Sequence, residues 1–325
     1  MDTNKRKVLV VQGLHDEGIK MLKNRSDIEY QVLMSDDEYE ISEAARDVHG
    51  ITVRTANITQ KIIENAQNLL VVSRHGVGYD SIDTKSLSKK KIPLTIAAHS
   101  NMISVAEHAM FLLLALSKNV FYYDDFTRKA DWSTRWNIKA WDLAEKKILI
   151  IGYGRIGSRV VKRALAFEMK VYVYDPFVDN KIIELSGAFA VDNILDILSE
   201  MDAVSIHCPR NTETENMFSK NQFDKMKKTS FIINCARGGI INEEDLYNAL
   251  INDDISGAGL DVFDVEPAQK SNPILNLKNV ILSPHIAGVT VEATVRMATE
   301  TVQNVLDVFD EKINDNVIVN NEILR

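Results

Sequence analysis

The sequence predicts an α/β protein with two doubly wound parallel sheets, each covered by helices on both faces. Three observations support this fold class. Short apolar runs alternate with helix-compatible segments from residue 7 to residue 96. A glycine-rich turn between two further apolar runs follows near residue 152, and the alternation then resumes as far as residue 282. Short continuous apolar runs are typical of parallel strands that are buried on both sides.

The first hundred residues are predicted to form one α/β unit, because strands and helices alternate along them. The tail, residues 317–325, has few features of the second unit and is expected to return to the first. The predicted domains are therefore 1–100 with 290–325, and 101–289. The predicted strands of the first unit are Lys7–Val11, Ile28–Leu33, Gly50–Val53, Leu69–Val72 and Leu94–Ile96, and its helices are His15–Lys23, Ile41–Asp47, Thr59–Asn65 and Asp83–Ser88.

The second unit is organised around three glycines spaced G-x-G-x-x-G. Gly152 permits a tight turn, Gly154 lets a pyrophosphate approach the backbone, and Gly157 lets a helix pack closely on the sheet. The N-terminus of that helix offers free N–H groups and a positive dipole end to the phosphates. The motif is flanked by the predicted strand Ile148–Ile151, helix Arg155–Phe167 and strand Val171–Tyr174.

Asp175 ends this pattern, eighteen residues after Gly157. A carboxylate here would accept hydrogen bonds from both hydroxyls of an adenosine ribose and would repel a 2′-phosphate. The pattern therefore predicts a Rossmann domain that binds NAD rather than NADP. Its later predicted strands are Ala203–His207, Ser230–Asn234, Ser256–Leu260 and Val280–Leu282, with the helix Asn242–Ile251 between them. A long amphipathic helix, Val289–Asp310, is predicted after the last of these strands.

Polar side chains follow the last three of these strands, at the edge where open parallel sheets bind their ligands. They are Arg237, Glu266 and His285, in that order along the chain. Reducing a carbonyl needs a hydride donor, a proton donor and a clamp for the substrate. A histidine suits proton transfer near neutral pH, a carboxylate fixes its tautomer, and an arginine binds a carboxylate through two hydrogen bonds. The set predicts NADH-dependent reduction of a keto acid.

The chain resembles the D-isomer-specific, NAD-dependent 2-hydroxyacid dehydrogenases over nearly its whole length. The resemblance implies a Rossmann cofactor domain, a flavodoxin-like substrate domain and catalysis by Arg237, Glu266 and His285, without a metal. The motifs that carry it, in family order, are HGVGYDSID at 75–83, Asn101 with VAEH at 105–108, the glycine motif, NCARGG at 234–239, GLDVF at 259–263 with Glu266-Pro267, and SPH at 283–285.

The resemblance also implies a cofactor groove. Asp261 would bind the nicotinamide carboxamide, and backbone near Cys208 and Cys235 would line the groove. His108 is expected to be structural rather than catalytic. The cofactor-binding residues expected are Gly152, Gly154, Arg155, Ile156, Gly157, Asp175, Cys208, Pro209, Thr214, Cys235, Ala236, Arg237, Asp261, His285 and Gly288.

Substrate choice is expected to depend on the first unit. The resemblance implies that the loop Gly76–Gly78 offers backbone N–H groups to the substrate carboxylate, and His75, Gly76 and Val77 are expected to bind the substrate. Arg54 and Arg74 each follow a predicted strand, and two further cations favour an anionic tail such as a phosphate, sulfonate or second carboxylate. D-3-phosphoglycerate is one such acid. The alternatives are hydroxypyruvate or glyoxylate reduction, formate oxidation, and a non-catalytic NAD-sensing protein similar to corepressors of this fold.

An aromatic and charged segment, Phe121–Trp141, follows the predicted apolar helix Ser104–Lys118. It holds Trp132, Trp136 and Trp141 and shows no clear periodicity, so contact with a second subunit is expected. The resemblance likewise implies a homodimer with an arm at about 105–142. An arm packed on its own domain is the alternative, and whether Arg135 reaches a neighbouring site is left open.

The bulk composition excludes some partners. A net charge of −8 and a pI near 5.5 argue against nucleic acid and anionic membranes. No signal peptide is recognisable, and the longest apolar run, Ala109–Leu116, is too short to span a membrane. Two cysteines suit a reducing compartment, so a cytoplasmic location is expected. Because the sequence ends at Arg325, no regulatory extension and no control by serine are expected.

Overall fold

The computed structural model describes residues 5–312 and 314–324. The chain divides into two compact units, one comprising the chain up to Asn101 and from Val289 onward, the other Met102–Gly288. The described part of the tail belongs to the first unit, where Val319 N donates to Leu94 O at 2.8 Å. Residues 1–4, 313 and 325 of the predicted first domain lie outside the described residues.

The first unit contains a five-stranded parallel sheet, as predicted. Its strands are β1 (Arg6–Val11), β2 (Ile28–Leu33), β3 (Gly50–Val53), β4 (Val71–Arg74) and β5 (Leu94–Ile96), and the helices between them are α1 (Asp16–Lys23), α2 (Glu38–Ala44), α3 (Gln60–Asn65) and α4 (Thr84–Lys89). The strand order is β2-β1-β3-β4-β5, so the direction of winding reverses between β1 and β3. This is the flavodoxin-like order, and ligands of such sheets bind beyond the carboxyl ends of the strands.

The second unit contains a seven-stranded parallel sheet. Its helices are α5 (Met102–Ser117), α6 (Val120–Arg128), α7 (Gly157–Ala166), α8 (Asn180–Leu185), α9 (Lys220–Phe223) and α10 (Glu243–Ile251), and its strands are β6 (Lys147–Ile151), β7 (Lys170–Tyr174), β8 (Phe189–Ala190), β9 (Ala203–Ile206), β10 (Phe231–Asn234), β11 (Gly257–Leu260) and β12 (Val280–Leu282). The order is β12-β11-β10-β9-β6-β7-β8. The predicted fold class is confirmed.

The long last helix, α11 (Val291–Phe309), belongs to the first unit. The Thr290 side chain caps it by accepting a hydrogen bond from Ala293 N at 3.1 Å. Val302 and Val305 are fully buried and pack in one apolar cluster with Val8 and Val71 of the first sheet. The helix therefore covers one face of the five-stranded sheet.

Several predicted boundaries are wrong by a few residues. Helix α2 begins at Glu38 rather than Ile41, because the Asp37 carboxylate accepts a hydrogen bond from Glu40 N at 3.0 Å and caps the helix one turn earlier. Strand β4 ends at Arg74 rather than Val72, because its register with β3 continues to that residue. Arg74 is thus the last residue of a strand and does not follow one.

Other differences lie in the second unit. Helix α7 begins at Gly157 rather than Arg155, since the preceding residues form the glycine turn. Part of the aromatic segment is the helix α6, which two ion pairs of 2.7 Å stabilise at i,i+4 spacing, Asp124–Arg128 and Asp125–Lys129. Strand β8 was missed, because it has only two residues.

Among residues 5–312 and 314–324, no single helix is both long and apolar enough to cross a membrane. The helices α5 and α6 reach the required length and apolarity only as a pair, and a bend of 60° separates them.

Candidate active site

The three glycines of the turn after β6 differ in what surrounds their α-carbons. A Cβ on Gly157 would lie 1.9 Å from Gly152 O, and a Cβ on Gly152, where φ is +93°, would lie 2.9 Å from His207 O. A Cβ on Gly154 would meet nothing within 4 Å. Two glycines are therefore required by the packing of the chain itself. The third leaves open space above the turn, which is where a pyrophosphate needs it.

Asp175 is attached to the same turn. It follows β7, and its Oδ2 accepts a hydrogen bond from Tyr153 N at 2.7 Å, while Oδ1 accepts one from Phe177 N at 2.9 Å. Both carboxylate oxygens are oriented by backbone N–H groups, and each keeps a further acceptor site. The carboxylate is thereby fixed beside the glycine turn.

The loop after β9 is held by its own side chains. Thr214 is buried, its hydroxyl donates to Pro209 O at 2.7 Å, and Asn211 N donates to that hydroxyl at 2.8 Å. Burial raises the pKa of the Cys208 thiol to about 11, with a smaller contribution from the charge of Asp175. Burial likewise raises the pKa of Cys235, so both thiols stay protonated near neutral pH. Both cysteines are free.

Glu266 and His285 form a hydrogen-bonded pair, with 2.6 Å between Oε2 and Nδ1. The other carboxylate oxygen accepts from Phe263 N at 3.0 Å. Burial opposes ionisation of Glu266, but the hydrogen bonds from His285 and Phe263 outweigh it, and the pKa of the carboxyl lies below its ordinary value. An ionised Glu266 accepts the Nδ1 proton of His285 and leaves Nε2 for other contacts.

Arg237 lies in the turn after β10, close enough to Glu266 for the two charges to interact. Its positive charge contributes to lowering the pKa of Glu266. The turn is held by Asn234, whose Nδ2 donates to Arg237 O at 2.9 Å and whose Oδ1 accepts from Ala236 N at 3.0 Å. The structure therefore brings together all three residues that the sequence placed at consecutive strand ends.

Asp261 is almost fully buried and organises the loop that carries His285. Its Oδ1 accepts from Ser283 Oγ at 2.6 Å and from Ile286 N at 2.9 Å, and its Oδ2 accepts from Ala287 N at 2.9 Å. His108 Nε2 lies 2.9 Å from the same Ser283 hydroxyl. His285 itself has a left-handed backbone, with φ +54°, a conformation that few non-glycine residues adopt.

Comparison with known proteins identifies the family. Residues 110–287 match the model of the D-isomer specific 2-hydroxyacid dehydrogenase NAD-binding domain. The D-3-phosphoglycerate dehydrogenase of Methanocaldococcus jannaschii is 36% identical over 96% of this chain and 59% of its own length. The hydroxypyruvate reductase of Thermotoga maritima is 34% identical over 92% and 97%. The D-lactate dehydrogenase structure from Aquifex aeolicus, complexed with NAD and lactic acid, has a TM-score of 0.87 and 28% identity, covering 96% of this chain and 98% of its own.

The chain belongs to the D-isomer-specific 2-hydroxyacid dehydrogenase family. The predicted family is thus confirmed. The chain spans less than two thirds of the length of the phosphoglycerate dehydrogenases from M. jannaschii, Archaeoglobus fulgidus and Synechocystis that it matches.

NAD is the cofactor of this domain. The residues present fit it, because the open space above Gly154 and the oriented carboxylate of Asp175 lie on one turn. The roles of all the predicted cofactor-binding residues stay predictions, including those of Arg155, Ile156 and Gly288. Ile156 is the residue before α7, Arg155 is exposed on the turn, and Gly288 ends the second unit.

The predicted substrate-binding residues lie in the first unit. Arg54 follows β3 and is exposed. His75 is buried, and its backbone N–H donates a hydrogen bond to Val53 O at 2.8 Å. Burial, together with the charges of Arg54 and Arg74, lowers the pKa of His75 to about 4. The Arg74 guanidinium donates a hydrogen bond to the backbone oxygen of His75. The next residue, Gly76, has a φ of +123°. Both arginines thus lie close to His75.

Val77 is half-buried and packs with Ile96, Ala98 and Val317 of the same unit. The loop of residues 75–77 is therefore anchored at both ends, by the β3 contact of His75 and by this apolar cluster. The assignment of the loop to the substrate carboxylate stays a prediction.

The sequence did not reveal which residues hold the loops of Arg237, Glu266 and His285 in place. They include Asn234, Asp264 and Ser283, whose hydrogen bonds fix the segments of Arg237, Glu266 and His285. A usable signal existed for two of them. Asn234 ends an apolar strand and Ser283 directly follows one, each two or three positions before a predicted catalytic residue.

Proposed function

We propose that this protein interconverts a D-2-hydroxy acid and its 2-keto acid, with NAD as the hydride carrier and His285 as the proton donor. One observation carries the proposal: His285 Nδ1 lies 2.6 Å from Glu266 Oε2 at the carboxyl edge of an NAD-binding sheet. Arg237 lies near enough to influence the charge of Glu266. A histidine, an acid and an arginine meet there, which is the set that carbonyl reduction requires.

When bound, NADH supplies the hydride for the substrate C2. His285 Nδ1 is occupied by Glu266, so Nε2 is the atom that exchanges a proton with the substrate oxygen. Glu266 fixes the tautomer through its hydrogen bond to Nδ1. Arg237 is the proposed ligand of the substrate carboxylate, since a guanidinium binds a carboxylate through two parallel hydrogen bonds.

The proposed substrate class is a 2-hydroxy acid with an anionic tail. Arg54 and Arg74 lie close to the same buried histidine, and two cations favour a phosphate, sulfonate or second carboxylate. The 36% identity to a D-3-phosphoglycerate dehydrogenase supports this class. The second candidate is hydroxypyruvate or glyoxylate reduction, which the match to almost the full length of a hydroxypyruvate reductase favours.

We also propose a homodimer that forms through the aromatic segment, in a cytoplasmic location. Trp132 is 69% and Trp136 82% exposed, as is Ile138 at 83%. Trp141 differs from them, because it stacks on Phe231 with 5.3 Å between ring centroids. Large exposed apolar groups on one segment are typical of a surface that a partner covers.

A screen of 2-keto acids with NADH tests the proposed activity. It should include phosphohydroxypyruvate, hydroxypyruvate, sulfopyruvate, glyoxylate and 2-oxoglutarate, with formate oxidation as a separate assay. We expect turnover of at least one acid and a fall in kcat of about 10²–10⁴-fold for His285→Ala, with NADH affinity retained. Turnover near the wild-type rate in a folded His285→Ala variant would overturn the assignment. Tight NADH binding without reduction of any acid would favour a sensing protein.

A further inference from the structure

Two carboxylates outside the predicted catalytic trio connect the segments that carry it. Asp264 lies in the loop after β11, two residues before Glu266, and Glu243 is the first residue of α10. Neither contacts His285 in any of the hydrogen bonds described. Both instead accept backbone N–H groups of the loops around the trio.

The first connection joins the Arg237 turn to the Glu266 loop. Gly239 N donates to Asp264 Oδ1 at 2.6 Å. The two segments also touch through their backbones, because a Cβ on Gly238 would lie 1.9 Å from Phe263 O. Phe263 N is itself the donor to Glu266 Oε1 at 3.0 Å. The position of the Arg237 turn is therefore tied to the peptide that orients the Glu266 carboxylate.

The second connection fixes both ends of the Glu266 loop to a helix. Glu243 Oε1 accepts from Asp264 N at 2.6 Å, and Oε2 accepts from Asn272 Nδ2 at 2.8 Å. The residues bridged in this way lie on either side of Glu266. Glu243 is half-buried in the first turn of α10, where the helix dipole favours a negative charge.

We infer that Asp264 and Glu243 are positioning residues that set the geometry between Arg237 and the Glu266–His285 pair. The chain of contacts runs from Gly239 through Asp264 to Glu243, and from Phe263 through Glu266 to His285. This inference rests on the proposed function, in which Arg237 binds the substrate carboxylate and His285 transfers the proton. A displacement of about 1 Å between such groups is enough to lower the rate about 100-fold.

The variants separate a hydrogen-bond role from simple packing. Asp264→Ala removes the acceptor for Gly239 N, whereas Asp264→Asn keeps an amide oxygen that can accept the same bond. Glu243→Gln keeps only one of the two acceptor oxygens of Glu243. It replaces Asp264→Ala in the test if that variant does not fold. Glu244→Gln is the matched control, because Glu244 is exposed on the same first turn and none of the hydrogen bonds described joins it to the loop.

The kinetic readout is the reduction of hydroxypyruvate with NADH. For Asp264→Ala we expect KM for hydroxypyruvate to rise about tenfold and kcat to fall about tenfold, with the Kd for NADH within about twofold of wild type. Asp264→Asn should restore most of the loss, and Glu244→Gln should match wild type. Unchanged kinetics in Asp264→Ala, or an equal loss in Glu244→Gln, would overturn the inference.

A second readout does not depend on turnover. The Nδ1 proton of His285, assigned by its absence in His285→Gln, reports the hydrogen bond to Glu266 in the NMR spectrum. We expect this resonance to be retained in wild type, Asp264→Asn and Glu244→Gln, and to broaden or disappear in Asp264→Ala. If wild type reduces no keto acid, the proposed function fails, and this resonance alone decides the role of Asp264. An unchanged resonance in Asp264→Ala would then reject it.

Discussion

Single substitutions in the glycine turn should change NADH binding and the stability of the fold separately. Gly157→Ala places a methyl group 1.9 Å from Gly152 O, and we expect it to lower the free energy of unfolding by about 1–3 kcal/mol or to prevent folding. Gly154→Ala meets no neighbouring atom within 4 Å, so it should leave the stability near wild type. Its methyl group enters the space proposed for the pyrophosphate and should weaken NADH binding about tenfold or more.

Thermal unfolding and NADH fluorescence titration measure the two effects in parallel. Each variant is the control of the other, because both add one methyl group to the same turn. Unchanged NADH affinity in Gly154→Ala would show that the cofactor phosphates do not occupy this space.

His75 predicts a pH dependence of stability. Its pKa is about 4 in the folded protein against an ordinary 6.5, chiefly because it is buried and also because Arg54 and Arg74 repel a positive charge. The unfolded chain therefore takes up the proton first as the pH falls. The contribution of neutral His75, about 3 kcal/mol at most, is complete above pH 6.5 and is lost progressively between pH 6.5 and pH 4.

Urea unfolding of wild type and His75→Asn at several pH values between 4.5 and 7 measures this contribution. We expect the difference in unfolding free energy between the two proteins to shrink as the pH falls. Arg54→Gln should reduce the slope in part, since it removes one of the two neighbouring cations. A constant difference across this range would contradict the assignment.

At the scale of secondary-structure elements, the start of α2 depends on one side chain. The Asp37 carboxylate accepts the hydrogen bond of Glu40 N, so Asp37→Ala should lower the free energy of unfolding by about 1 kcal/mol. Asp36→Ala, at the neighbouring exposed position, is the matched control and should change it by less than about 0.5 kcal/mol. Chemical denaturation measures both, and equal effects would argue against the cap.

The sheets were predictable at this scale, whereas individual boundaries were not. Continuous apolar runs such as Ile148–Ile151 identified most strands, because strands buried on both faces need no polar alternation. The end of β4 was misplaced, since hydrogen bonds to β3, and not the local sequence, determine how far it extends. The same reason explains β8, which exists only through its pairing with β7.

At the scale of the whole molecule, the aromatic segment predicts a dimer. Trp136→Ser combined with Trp132→Ser should increase the monomer fraction in analytical ultracentrifugation, because it removes two exposed indoles from the proposed interface. Leu185→Ser is the matched control. Leu185 is 88% exposed but lies on α8, outside this segment, so its loss should leave the assembly unchanged. An equal mass distribution for all three proteins would reject the proposed interface.

The amino-acid sequence alone was enough to predict the fold class, the glycine turn for NAD and the order of Arg237, Glu266 and His285. These follow from local patterns: buried strands are apolar, a glycine is needed wherever a Cβ would collide, and ligands bind at the carboxyl ends of parallel strands. Family motifs extended the same reasoning to Asp261. Each of these signals is contained in a few consecutive residues.

Which polar groups contact one another is visible only in the folded chain. Glu266 and His285 are nineteen residues apart, and the bond between their side chains depends on how two loops pack. The same holds for Asp264 and Glu243, because nothing in the sequence indicates that their carboxylates accept the hydrogen bonds of Gly239 N and Asp264 N. Hydrogen bonds between distant segments leave no periodic trace in a sequence, because they depend on distance and angle in the folded chain.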